Sequence, residues 1–153
     1  WPTEFETDLL TDYQLLSPSD FGFHNAILTK DGLKFIDFEY FGWDDPVKLT
    51  CDFLLHPGMM LTDQQKNLWL NKVEDVFNND NTFHRRLLAS YSLYGLCWCL
   101  IMLNVFITDN HGKKIIEEVE KNDLEEKQTK QFERSKKLLE HINNVNRHGL
   151  PFE

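Results

Sequence analysis

The chain has 153 residues, a net charge of −9 at pH 7, 41% hydrophobic residues and 13% aromatic ones. That composition fits one folded domain with a real core and excludes a disordered chain. The acidic balance excludes a nucleic-acid backbone as partner, because phosphates would be repelled rather than neutralised. It reads first as solvated helix faces, and second as a wall for a cationic or metal-bound ligand.

The sequence opens "WPTEFETDLL", with no initiator Met and no signal peptide, which reads as a fragment or a processed product. Residues 1–12 read as an acidic connector. Residues 13–40 then form a strand, a loop and a hairpin. Tyr13–Leu16 is the short strand, and Ser17–Asn25, rich in Ser, Pro, Asp, Gly and Asn, is the loop. Two apolar runs, Ala26–Thr29 and Leu33–Phe38, flank "KDG", a hairpin turn signal. The next segment, "YFGWDDP", reads as loop.

Residues 45–147 switch to helical periodicity. Pro46 suits a first helical turn capped by Asp44 or Asp45, and "HPG" at His56 ends that helix. The second helix starts at Thr62, whose "TDQQ" has the form of a capping box with Gln65, and it ends near Phe77. The third runs from about Phe83 to Phe106. Inside it, Leu87–Ile107 carries no charge, so length alone allows a membrane span; a central helix buried on all sides reads the same way and is the expectation here. The last helix, about Lys114 to Val145, is amphipathic, either continuous or broken near Asn122. The outline is a small sheet beside a helical bulk, hence α+β.

The three cysteines, Cys51, Cys97 and Cys99, lie among apolar residues without zinc-ligand spacing. They read as buried reduced thiols, which fits a reducing, cytoplasmic setting.

The chemistry concentrates in "SPSDFGFHNAILTKDGLKFIDFEY". Asp20 and Asn25 share one loop, and Asp37 is expected at the end of the second hairpin strand. A hairpin returns its ends to one place, so these three oxygen-bearing side chains can converge. Such hard donors suit Mg²⁺ shared with phosphate oxygens. Phosphoryl transfer needs little else here: a carboxylate to take the attacking hydroxyl's proton, and ligands for the metal. The alternative is an ordinary turn network, with Asp20 and Asn25 making loop hydrogen bonds and Asp37 capping. Asp37 fits that alternative least, because a charge closing "LKFIDF" needs a partner.

The stretch "SDFGFHNAIL…FIDFEYFGWDDPVKLTCDF" resembles the catalytic segment of the aminoglycoside phosphotransferase and choline-kinase-like family. The resemblance covers roughly Tyr13 to Leu55. It implies the mainly helical C-terminal lobe of a protein-kinase-like fold, which would phosphorylate a small-molecule hydroxyl with ATP and Mg²⁺. Asp20 would be the catalytic base and Asn25 and Asp37 the metal ligands, while Asp45 and Asp52 brace the loop. Apart from the resemblance, His24 reads as a packing or loop hydrogen-bonding residue, with a phosphate contact as the alternative, and Glu39 as positioning metal or capping. Tyr40 and Trp43 are expected to fill the core beneath the loop, with substrate stacking as the alternative. No membrane partner is implied.

Two departures stand out. Pro18 replaces the histidine that this family carries two residues before the catalytic aspartate, which weakens the bracing of the loop. The residues before Asp20 hold no glycine and no lysine, so the N-terminal nucleotide lobe is expected to be missing and the lobe alone inactive. A non-catalytic, pseudokinase-like binding module is the competing reading.

Overall fold

The computed structural model describes residues 8–107 and 118–150, with the side chains of 118–122 left aside. Among the described residues, four short strands precede four α-helices. Strands β1 (Leu15–Ser17), β2 (Ala26–Thr29), β3 (Gly32–Phe35) and β4 (Gly42–Asp44) are followed by α1 (Pro46–Leu55), α2 (Asp63–Val76), α3 (Phe83–Leu103) and α4 (Glu118–His148). Mixed helix and sheet makes the chain α+β.

The strands form two separate antiparallel pairs, β1 with β4 and β2 with β3. In the β2–β3 hairpin Thr29 pairs with Gly32, leaving Lys30 and Asp31 as the turn. Gly32 sits at φ 105°, a left-handed value that a side chain would strain, and Thr29 Oγ1 donates to its carbonyl at 2.8 Å. The β1–β4 pair corrects the sequence reading of "YFGWDDP" as loop: Leu15 pairs with Asp44 and Ser17 with Gly42. A three-residue strand whose partner lies far back in the chain leaves no local pattern to read.

The helices begin where their capping residues say. Asp45 accepts from the Val47 amide at 2.8 Å ahead of Pro46, which needs no donor of its own at that position. At Thr62 both halves of the capping box are present: Gln65 N donates to Thr62 Oγ1 and Thr62 N donates to Gln65 Oε1. Helix α4 runs unbroken through Asn122, the continuous one of the two forms considered; residues 114–117 of that prediction lie outside the described residues.

The core joins Val47, Cys51, Leu54 and Leu55 of α1 to Leu87, Tyr91 and Cys99 of α3 and Ile142 and Val145 of α4. Leu87 is completely buried, worth roughly 1.5–3 kcal/mol by transfer. Helices α3 and α4 approach closely at Gly95, where an added Cβ would lie 2.4 Å from Ile142 Cγ2. Ser135 Oγ donates to the Cys99 carbonyl at 3.2 Å across the same interface.

Helix α3 is not buried on all sides. Its packed face carries Leu87, Tyr91, Gly95, Cys99 and Met102, while Leu93, Leu96, Leu100 and Ile101 are exposed. Cys97 falls on the open face, so only Cys51 and Cys99 of the three free thiols are buried. By length and composition this helix is also apolar enough to cross a membrane. Composition without periodicity hid its two-sidedness.

A buried ionic knot ties the helical part together. Arg86 of α3 donates from Nε and Nη2 to the two oxygens of Asp45, each at 3.1 Å, and its Nη1 lies 2.9 Å from Asp80 Oδ2. Nη1 also donates to Thr82 Oγ1. Burial alone would raise the Asp80 pKa, but hydrogen bonds from Thr82 and Arg86 outweigh it and hold the carboxyl low. Asp45 thus caps α1 and anchors it to α3 with one carboxylate.

Candidate functional site

The loop before β2 folds around aromatic packing. Phe21 contacts the rings of Phe35, Phe53 and Trp69 at centroid distances of 4.6, 5.8 and 6.0 Å, which fastens the loop to β3, α1 and α2. Ser19 has φ 67° and Asp37 φ 64°, so two of the three non-glycine residues with left-handed backbone among the described residues flank the site. Such conformations persist only where the surroundings impose them.

Asp20 and Asn25 meet. Asn25 Nδ2 donates to Asp20 Oδ2 at 3.1 Å and to the Asp20 carbonyl at 3.0 Å. With its nitrogen turned inward, the amide oxygen of Asn25 is left for another partner. Asp37 lies beyond the end of β3, not within it as expected. The hairpin register stops one residue short of it: Ile36 N donates to the Asn25 carbonyl at 2.9 Å. No cation pairs with Asp37 among the described residues, and its carboxylate is exposed. Glu39 is also exposed, and its carboxylate raises the pKa of the neighbouring Tyr40.

His24 hydrogen-bonds within the loop. Its Nε2 lies 2.9 Å from Asp20 Oδ1, and its ring stacks on His56 at 3.8 Å with only 8° between planes. Glycines make room for both rings: a Cβ on Gly22 would lie 2.6 Å from His24, and one on Gly58 would lie 2.9 Å from His56. Burial, and next the His24 ring, push the His56 pKa down to about 4. Asp20, His24 and His56 bring three ligand-type atoms within 4.8 Å. The stack argues against a shared metal there, because lone pairs lying in two parallel ring planes do not converge on one ion.

Asp52 braces the loop through Lys48, its neighbour one turn earlier on α1. Lys48 Nζ donates to Asp52 Oδ2 at 2.9 Å and to Ser19 Oγ at 3.1 Å. Trp98 Nε1 donates to the other Asp52 oxygen at 3.0 Å, and the Trp98 ring meets His56 edge-on. Burial raises the Asp52 pKa despite Lys48. Ser19, Lys48, Asp52, Trp98, His56, His24 and Asp20 therefore close a ring of contacts around the loop. Lys48, His56 and Trp98 were not foreseen. The Lys48–Asp52 spacing of four on a helix was the one readable signal.

Tyr40 and Trp43 do not fill the core: they are 70% and 63% exposed. The same surface carries exposed Phe23, Ile27, Phe38 and Phe41. In comparison with known proteins, the chain matches no family model, no curated protein and no solved structure.

Proposed function

We propose that the chain is the C-terminal lobe of a kinase-like phosphotransferase, acting on a small-molecule hydroxyl with ATP. The observation that carries this reading is the joining of Asp20 to Asn25 by their side chains, with Ile36, the residue before Asp37, bonded to the Asn25 carbonyl. Asp20 is held by His24 and Asn25 yet is half open to solvent, as a base must be to reach an incoming hydroxyl. The acceptor oxygen would attack the γ-phosphorus as the bond to the leaving nucleoside diphosphate breaks, and the hydroxyl proton would pass to Asp20.

The free amide oxygen of Asn25 and the unpaired carboxylate of Asp37 suit a hard cation, so these two residues would hold Mg²⁺. When bound, that ion would neutralise charge on the phosphates. The remaining residues around the loop are positional. Lys48 fixes Ser19 from below, and the imidazole stack supports Asp20 where the family places a histidine and this chain has Pro18.

The test uses the product of the whole reading frame that encodes the chain, with Mg²⁺, ATP and a panel of hydroxyl acceptors. Asp20→Asn should lower turnover by about 10²–10⁴-fold, and Asp37→Ala should abolish Mg²⁺-dependent ATP binding by calorimetry. Near-normal turnover in Asp20→Asn would overturn the assignment. Absence of Mg²⁺-dependent nucleotide binding in the unmodified protein would leave the non-catalytic binding module.

A further inference from the structure

A cavity of about 490 Å³ opens between the C-terminal end of α1, α2, α3 and α4. Its size falls within the range of small-molecule sites. The buried side chains of Leu54, Leu55 and Met102 contribute an apolar lining. Lys66, Arg134 and Lys137 supply positive charge, and no carboxylate lines it, although the chain as a whole carries −9. Arg134, Lys137, Leu138 and His141 recur at helical spacing along one face of α4, so a single helix delivers two cations and an apolar contact. Neither Arg134 nor Lys137 is in an ion pair among the described residues, whereas Lys66 has Asp63 at 3.7 Å.

The cavity shares a wall with the candidate site. His56 lines it, and the same imidazole stacks on His24, whose Nε2 is 2.9 Å from Asp20. The carboxylate of Asp20 thus stands one imidazole pair from the cavity.

We infer that this cavity binds a small amphipathic oxyanion, an apolar body bearing a carboxylate or phosphate. Arg134 and Lys137 would take the anionic group, Arg134 by its paired donors, while the apolar body lies on Leu54, Leu55 and Met102. The same charges disfavour a cationic ligand.

The probe is 3-phenyllactate, which carries ring, hydroxyl and carboxylate, set against its uncharged amide, 3-phenyllactamide. Each is titrated into the chain at low salt and followed by ¹H–¹⁵N NMR. The carboxylate should shift the amide signals of Leu55 and Leu138 saturably, and the amide analogue should bind at least about 10-fold more weakly, as expected for loss of a charge-assisted contact. Arg134→Gln with Lys137→Gln should produce a similar loss for the carboxylate with unchanged circular dichroism. Equal binding of the two probes, no saturable shift, or shifts confined to the apolar cavity between Phe23 and Trp69 would each overturn the inference.

Discussion

The helical part and the hairpin part of this molecule are stabilised in opposite ways. In the helices, side chains from α1, α3 and α4 close over one another, and the charges that enter are satisfied by the Asp45–Arg86–Asp80 knot. In the hairpin part, two isolated strand pairs expose apolar residues such as Ile27 and Leu28 and cannot stand alone. Their order is borrowed from the helices through Phe21, Lys48 and His56. The comparison teaches that the candidate chemistry lies on the weaker part and depends on the stronger one.

The largest expected effect breaks the stronger part. Arg86→Ala leaves Asp45 and Asp80 without their shared cation and should cost about 3–5 kcal/mol, read by urea unfolding. If the loss were under ~1 kcal/mol, the knot would not be what ties α1 to α3.

Next comes Gly95→Ala. The added methyl gains helix propensity, but it meets the buried, β-branched Ile142, so a net destabilisation of about 1–3 kcal/mol is expected. A stabilised variant would mean that α4 yields at this crossing.

The third prediction probes the joint between the parts. His56 is kept neutral in the fold, with Asp20, His24 and Trp98 around it, and its pKa falls from 6.5 to about 4. Between those values the unfolded chain holds more protons, so stability rises with pH across the window. The His56 contribution should be complete above about pH 6.5 and erode as pH falls towards 4. Thermal melts of His56→Gln should show a flatter slope there; an unchanged slope would sink the assignment.

The smallest effect isolates the weaker part. Gly32→Ala has open space around the new methyl but strains a φ of 105°, for about 1–2 kcal/mol. Hydrogen exchange should quicken in β2 and β3 and stay unchanged in α3.

The sequence made the local features plain. Asp45 before Pro46, Thr62 with Gln65 and the "KDG" turn each state a structure within a few residues, and each forms. Asp20 and Asn25 were visible for the same reason, since one short loop carries both. What stayed hidden depends on distant partners. Strand β4 needs β1, and the outer face of α3 looks like its inner face because both are apolar. His56 gave no sign of its role, because its significance lies in the ring it stacks against.

The β1–β4 ribbon has a consequence for how the candidate site comes apart. Because Ser17 pairs with Gly42, the chain enters and leaves the entire stretch from Pro18 to Phe41 through one gate. Asp20, His24, Asn25, Asp37 and Glu39 all lie within that noose. Unzipping three residue pairs lengthens the slack available to all five at once, so loss of geometry there is collective rather than residue by residue. A mutation at Leu15 or Trp43, touching none of them, would then act on the site as a whole.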